Sequence, residues 1–334
     1  MKMGRFLAVS LMIICIISAG CGKSEKEISF GTAGIGGKYY AYATAMADMI
    51  SIDNSEYKFD IKNTNGSEAN LRLLNEQFLD IAIVQSDILA ETLQKNGNLN
   101  PSSTGSGYAS VAGLYTEACQ IIVPKNSEIQ TVYDLENKRV SIGEKESGVL
   151  KNAEEILSLY GLSSAMLKPY YLSFNEAAEA MSRGEIDAFF CTAGAPTKAV
   201  EDLASKMDIR LLSIAPNIIN NMEKAHLGYT HCIIPENTYP NQTEKISTFG
   251  VKAVLVARSD LEDKDVEYIL NFLLNNAQKL RETSNVATEL NLDYAVKDIP
   301  YSFHKGAVNY YKSKGIDVEI YTGSSGKKII AGQD

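Results

Sequence analysis

Few residues of this 334-residue chain could do chemistry, and their spacing argues against catalysis. The three histidines are His226, His231 and His304. His226 and His231 are five residues apart, but no further ligand stands at a spacing typical of a metal site, so we expect both to be structural. No G-x-S-x-G motif of a nucleophilic serine occurs. The sequence therefore predicts no catalytic residue, no metal and no cofactor.

A glycine-rich turn at residues 31–37 is the most informative internal motif. Its glycines let backbone amides approach a ligand. The helix expected to start near Gly37 offers unpaired N–H groups and a positive dipole end to an anion. The glycines do not match G-x-G-x-x-G, and the Lys-Ser/Thr ending of a phosphate-binding loop is missing. The turn therefore favours a carboxylate over a nucleotide, and a bare tight turn is the alternative.

Four other loops rich in hydroxyls, amides and small residues follow predicted strands, at residues 63–67, 85–87, 144–148 and 192–196. Ligands of open α/β sheets bind beyond the carboxyl ends of the strands. Such side chains orient a small polar ligand without reacting with it. Tyr39 and Tyr40, next to the glycine turn, either stack on a ligand or simply pack.

Strands and helices that alternate along the chain must position these loops, and they predict an α/β fold with a largely parallel sheet. Strands are expected at 28–31, 59–64, 81–84, 110–114, 120–123, 139–143, 170–173, 188–191, 209–214, 226–234 and 251–257. Helices are expected at 39–50, 67–77 with Ser67 as a cap, 87–94, 150–160, 175–183, 196–205 and 263–283. A helix, a turn with Asp and a buried strand occur twice, at 67–84 and 175–191, which suggests two related lobes.

The composition limits the partners of the protein. The chain is long enough for two domains. Its formal net charge is −9, and removal of residues 1–20 would take away Lys2 and Arg5 and leave −11. This charge argues against nucleic acid as a partner, although a pocket can be locally positive. Cys119, Cys191 and Cys232 form no disulfide pattern, and we expect Cys119 and Cys191 to be buried thiols.

The N-terminus has the three regions of a secretory signal. Lys2 and Arg5 precede an apolar run at residues 6–17, which is too short to span a bilayer comfortably. Ser-Ala-Gly then precedes Cys21, as in a bacterial lipobox, although Ser18 stands where Leu is usual. We expect residues 1–20 to be a lipoprotein signal peptide, Cys21 to be acylated and residues 21–27 to be a tether. The alternative is an ordinary signal peptide with a chance cysteine.

Five segments, in this order along the chain, resemble the TAXI family, the solute receptors associated with TRAP transporters. Residues 31–40 read GTAGIGGKYY, 66–71 read GSEANL and 80–87 read DIAIVQSD. Residues 134–143 read DLENKRVSIG, and 299–307 read IPYSFHKGA. Three positions depart from the family: Lys38, where a small or hydroxyl residue is commoner, Val149 in place of Thr, and Lys305 after His304.

The resemblance implies an extracytoplasmic receptor with a two-lobed periplasmic-binding-protein fold (type II-like, a Venus flytrap), mixed, mostly parallel sheets and a hinge. Lobe I would comprise residues 28–117 and 252–334, and lobe II residues 118–251. The receptor would be a lipid-anchored monomer that binds a small anion, a carboxylate or an amino acid such as glutamate. It would deliver the solute to a TRAP-type membrane permease.

The loops and the resemblance together give the candidate ligand-binding residues, which are Gly34, Gly36, Gly37, Tyr39, Tyr40, Asn65, Ser67, Gln85, Ser86, Asp87, Ser147, Gly148, Thr192, Gly194 and Pro196. Lys38 either reaches a second carboxylate or points into solvent, and we expect the latter. His304 is expected to order a turn of lobe I. The alternatives to a receptor are an exported α/β hydrolase and a surface antigen without solute.

Overall fold

The computed structural model describes residues 25–95, 107–225, 228–284 and 289–318. The predicted signal peptide, Cys21, most of the tether, His226 and the last residues of the predicted lobe I lie outside the described residues. Within the described ranges, no helix is both long and apolar enough to cross a membrane.

Strands and helices alternate through most of the described chain. The strands are β1 (Lys26–Gly31), β2 (Tyr57–Lys62), β3 (Ile81–Gln85), β4 (Tyr108–Pro124), β5 (Arg139–Ser141), β6 (Lys168–Tyr170), β7 (Ala188–Ala193), β8 (Ile209–Leu211), β9 (Tyr229–Ile234) and β10 (Ile246–Arg258). The helices are α1 (Lys38–Asp53), α2 (Ser67–Asn75), α3 (Ser86–Lys95), α4 (Gly148–Leu159), α5 (Phe174–Ser182), α6 (Lys198–Ala204), α7 (Pro216–Ala225), α8 (Asp263–Asn275), α9 (Ala277–Ser284), α10 (Leu292–Val296) and α11 (Lys305–Ser313). Two short 3₁₀ helices span Val132–Leu135 and Ser164–Met166.

The strands form one mixed sheet in the order β2-β1-β3-β10-β4-β7-β5-β6. Pairing is parallel among β1, β2 and β3 and among β5, β6 and β7. The strands β4 and β10 lie between these two groups and pair antiparallel with each other and with their neighbours. The α/β class and the two-lobed periplasmic-binding-protein fold are as predicted. The expectation of a mostly parallel sheet is wrong, because the long strands β4 and β10 pair antiparallel with every strand beside them.

The strands β4 and β10 connect the two halves of the molecule. The sequence predicts two strands at 110–114 and 120–123, but β4 is one continuous strand of 17 residues. The polar residues Thr116 and Glu117 stay in the ladder, where they pair with Lys252 and Val251 of β10. Two shifts of register in the β4–β10 pairing bend this ribbon. We propose that it is the hinge.

The buried apolar residues fall into two sets. Two clusters are built from residues 28–115 and 253–311, with Phe30, Tyr42 and Leu255 among the most buried. Two others are built from residues 118–251 and include Ile156 and Phe190. This division agrees with the lobes expected at 28–117 with 252–334 and at 118–251, and we propose these boundaries for them.

The C-terminal half differs most from the sequence-based expectation. The helix predicted at 263–283 is two helices, because Asn276 ends α8 and donates its side-chain N–H to Phe272 O at 2.9 Å. Asn side chains compete in this way with the helical backbone. The helix α7 was not predicted, although Pro216 is its first residue, a position where proline needs no N–H partner.

Candidate functional site

A cleft lies between the two lobes, beside the β4–β10 ribbon, and it holds about 610 Å³ of empty space when the open solvent at its mouth is included. Ten of the predicted ligand-binding residues line it: Gly34, Gly36, Gly37, Tyr39, Asn65, Ser67, Gln85, Ser147, Gly148 and Thr192. Tyr40, Ser86, Asp87, Gly194 and Pro196 are not among its lining residues. The structure therefore brings together residues that are far apart in the sequence. For all fifteen candidate residues, contact with a solute stays a prediction.

Four helices begin at the wall of this cleft: α1 and α2 from lobe I, and α4 and α5 from lobe II. The residues before the two lobe I helices are Gly37 and Gly66, which have no side chain to cap them. Ser147 and Ser173 cap the lobe II helices with their hydroxyls. Helix N-termini carry a partial positive charge. Two uncapped helix starts therefore face an anion in the cleft. At α2 the Ala69 N–H already donates to Glu146 O at 3.1 Å, so we expect the start of α1 to bind the anion.

The glycine turn before α1 also permits the lobes to approach each other. A methyl group at Gly36 would lie 2.1 Å from Asn175 Oδ1 of lobe II, and one at Gly37 would lie 3.2 Å from Gly34 O. Gly37 has φ −94°, so its conformation needs no glycine. Space, rather than backbone strain, explains these glycines.

Ser67 was predicted to cap α2, but it is the first residue of this helix and does not cap it. Its hydroxyl oxygen instead accepts a hydrogen bond from the backbone N–H of Gln85 at 3.0 Å. The side-chain oxygen of Gln85 has no hydrogen-bond partner among the described residues, and Gln85 is 2% exposed. A buried acceptor of this kind is costly unless a donor reaches it, and this oxygen faces Gly148 of the other lobe, where a methyl group would lie 1.7 Å away.

Glu117 is a carboxylate in the cleft wall that the sequence did not suggest. It is 1% exposed and accepts a hydrogen bond from the Tyr39 hydroxyl at 2.8 Å. Burial raises the pKa of Glu117 well above its usual value. A charged residue within the apolar run of β4 was the available signal, because a buried strand position seldom holds Glu without a role.

Glu144 brings a second carboxylate to the cleft, from the loop after β5. Its Oε2 atom would lie 3.8 Å from a methyl group at Gly34 on the opposite lobe. Partial burial raises the pKa of Glu144 to about 7, and the charge of Glu176 adds to this shift. Residues 144–148 were predicted to form a ligand loop, but Glu144 itself was not among the candidate residues.

Lys38 is the one basic residue among the lining residues that the structure describes. It is 4% exposed, so the expectation that it points into solvent is wrong. Its Cγ atom would lie 3.4 Å from a methyl group at Gly194 of lobe II. Burial lowers the pKa of Lys38, although the charge of Glu201 acts in the opposite direction. Lys38 therefore extends from α1 towards lobe II.

Asp87 lies outside the cleft lining, in a buried polar network between the lobes. Its Oδ2 atom accepts hydrogen bonds from Asn152 Nδ2 at 2.7 Å and from the Tyr229 hydroxyl at 2.9 Å. The Tyr229 hydroxyl also lies 2.6 Å from Glu155 Oε2. Burial raises the pKa of Asp87 to about 7. The adjacent Ser86 donates to Gly228 O at 3.0 Å, so both residues connect lobe I to lobe II.

We predict that Asp87→Asn changes the pH dependence of stability. The folded-state pKa of about 7 exceeds the ordinary value of 3.8, so the stabilisation from protonated Asp87 is complete below pH 4 and is lost as the pH rises through 7. The variant should therefore be more stable than the wild type at pH 8, by on the order of 2–4 kcal/mol, and nearly equal at pH 4. Thermal unfolding at both pH values measures this, and the exposed Asp48→Asn is the control. Equal shifts at both pH values would contradict the prediction.

The lobes meet through further polar contacts beside the cleft. Arg72 of α2 forms a bidentate pair with Glu146, with N–O distances of 2.9 and 3.3 Å. The backbone N–H of Ala69 donates to Glu146 O at 3.1 Å. The amide of Gln85 lies directly against Gly148, where a methyl group would be 1.7 Å from Oε1. The structure therefore shows the closed arrangement of the lobes.

The remaining cysteines and histidines have structural positions. Cys119 and Cys191 are buried free thiols, as predicted. His304 precedes α11 and its Nδ1 atom accepts from the backbone N–H of Gly306 at 3.0 Å, so it orders a lobe I turn as expected. His231 lies 3.0 Å from Ser247 Oγ. Across the ranges that the structure describes, no three His, Cys, Asp or Glu side chains are grouped to hold a metal ion.

Comparison with known families adds a classification to this geometry. A model of the NMT1-like family matches residues 30–315, which cover both lobes and the whole cleft. The chain belongs to the NMT1-like family. The matched range begins at β1 and ends after α11, so the family resemblance extends over the described fold.

Two solved structures share the fold of this protein. The PhnD1 protein from Prochlorococcus marinus MIT 9301, in complex with methylphosphonate, is 13% identical with a TM-score of 0.53, and the match covers 87% of this chain and 99% of that chain. A binding protein component of an ABC phosphonate transporter from Pseudomonas aeruginosa is 12% identical with a TM-score of 0.52, over 79% of this chain and 81% of that one. At these identities the likeness establishes the fold alone.

Proposed function

We propose that the protein is an extracytoplasmic solute receptor for a small anion, a carboxylate or an amino acid such as glutamate. The observation that carries this proposal is the convergence of four helix starts from both lobes on one cleft, two of them without side-chain caps. A solute held between the lobes contacts both of them, so it binds the closed form more tightly than the open form and shifts the equilibrium towards closure.

In this proposal the N–H groups at the start of α1 bind the carboxylate, and Tyr39 packs against the carbon skeleton. Gln85 and Thr192 provide hydrogen bonds from lobe I and lobe II. The hydroxyl of Ser147 is used to cap α4, where it accepts from Leu150 N at 3.1 Å, so this residue offers its backbone rather than its side chain.

We further propose that the receptor belongs to the TAXI group and serves a TRAP-type permease, with Cys21 as its lipid anchor. The order of the five motifs along the chain supports the TAXI assignment. A tether supports the function physically, because it raises the effective concentration of receptor at the membrane. Co-purification with a permease of a different class would reject the TRAP assignment, and mass spectrometry that finds an unmodified Cys21 would reject the anchor.

The competing hypothesis, an exported hydrolase, requires a nucleophile beside a histidine. Among the described residues that line the cleft, none is a histidine. Thermal unfolding against a panel of monocarboxylates, dicarboxylates and amino acids separates the hypotheses. Saturable stabilisation without turnover is expected for a receptor. Product formation would favour the hydrolase, and the absence of any shift would favour the surface antigen.

A further inference from the structure

The charges of the cleft do not suit a solute that is only an anion. Its described lining contains two carboxylates, Glu117 and Glu144, and one base, Lys38. Lys38 already interacts with the carboxylate of Glu201. Glu117 is buried and hydrogen-bonded to Tyr39, and its raised pKa favours the neutral form. Glu144 is therefore the carboxylate that a second acid group of the solute would face.

Glu144 is the carboxylate in this cleft that still needs a partner. Within the described part of the chain, no hydrogen bond or ion pair reaches its side chain, and the nearby Glu176 has the same charge. Glu176 is itself satisfied, because it accepts from the Ser173 backbone N–H at 2.9 Å and from the Ser173 hydroxyl at 2.8 Å. Half-buried carboxylates without a counter-charge are unfavourable. A cation in the cleft would remove this cost.

We propose that Glu144 is a specificity-determining residue that binds a cationic group of the solute, so that the receptor selects ammonium-bearing acids over acids without an ammonium group. This inference rests on the proposed receptor function and adds the charge class of the solute to it. Glu144 lies opposite Gly34, on the turn that precedes the uncapped helix start. The ammonium group of a zwitterionic solute would then face Glu144, and its carboxylate would face the N–H groups at the start of α1.

Four acids with one five-carbon skeleton test this assignment by calorimetry: L-ornithine, L-norvaline, valerate and L-glutamate. Ornithine has two ammonium groups, norvaline one and valerate none, while glutamate exchanges the second ammonium for a carboxylate. We expect the affinity of the wild type to fall at least about tenfold at one of two steps, from ornithine to norvaline or from norvaline to valerate. One charge-assisted hydrogen bond contributes roughly this factor. The step at which affinity falls identifies which ammonium Glu144 binds.

The variant Glu144→Gln keeps the shape of the side chain and removes its charge. It should reduce that preference about tenfold. Glu154→Gln makes the same charge change at an exposed position of α4 and should leave the series unchanged. Equal preferences in the wild type and in Glu144→Gln, or a wild type that binds valerate as tightly as norvaline and ornithine, would overturn the assignment. If the protein binds none of these four acids and none of the monocarboxylates, dicarboxylates and amino acids tested by thermal unfolding, the receptor function itself is overturned.

Discussion

Replacement of Gly37 by Asp should abolish the binding of acids while the protein stays folded. Gly37 is the residue before α1, and no side chain caps this helix. Asp is among the best residues at this position, because its carboxylate accepts from the first N–H groups of the helix. The new carboxylate of the variant would thus occupy the N–H groups of α1 that are proposed to bind the solute. We expect affinity to fall about 100-fold or more, from lost charge-assisted hydrogen bonds and like-charge repulsion.

Calorimetry with the tightest-binding acid of the panel measures this loss, and thermal unfolding provides the second readout. The melting temperature of Gly37→Asp should stay close to that of the wild type, because an N-cap contributes about 1 kcal/mol, which offsets the close contact of the new side chain with Gly34 O. Ser163→Asp is the matched control: it adds a charge before a helical turn that has no side-chain cap and does not line the cleft. Unchanged affinity in folded Gly37→Asp would remove the α1 start from the proposed site.

Local sequence patterns were sufficient for the elements that build each lobe. The glycine turn and the apolar helix face of Tyr42 and Met46 predict α1, and the run at 81–84 predicts a buried strand. Both are present within a few residues of the expected bounds. These signals are local, because periodicity and turn residues act over one or two turns of chain.

The parts that the sequence did not predict depend on contacts between distant segments. The continuity of β4 through Glu117 follows from pairing with β10, more than 130 residues later, and a polar residue in the strand looked like an interruption. Asp87 looked like a ligand residue because it follows β3, but Asn152 and Tyr229 of the other lobe enclose it. Lys38 looked exposed because the covering residue, Gly194, is remote in sequence.

The contact of Gln85 with Gly148 shows how closure itself can be tested. These residues belong to different lobes, and Gly148 is the first residue of α4. A methyl group in Gly148→Ala would lie 1.7 Å from Gln85 Oε1, which is impossible unless the buried amide leaves its place. The open form has no such conflict, so the substitution should destabilise closure without destabilising either lobe. Overpacking of this kind costs about 1–3 kcal/mol, which weakens solute binding roughly 5- to 150-fold.

Small-angle scattering and calorimetry together measure this effect. We expect Gly148→Ala to have a larger radius of gyration than the wild type at the same solute concentration, together with weaker binding and an unchanged melting temperature. The double variant Gln85→Ala/Gly148→Ala removes the conflict, so its affinity should equal that of Gln85→Ala alone. Wild-type affinity in Gly148→Ala would mean that Gln85 swings aside at no cost. The buried amide would then be movable, and its contact with Gly148 would not limit closure.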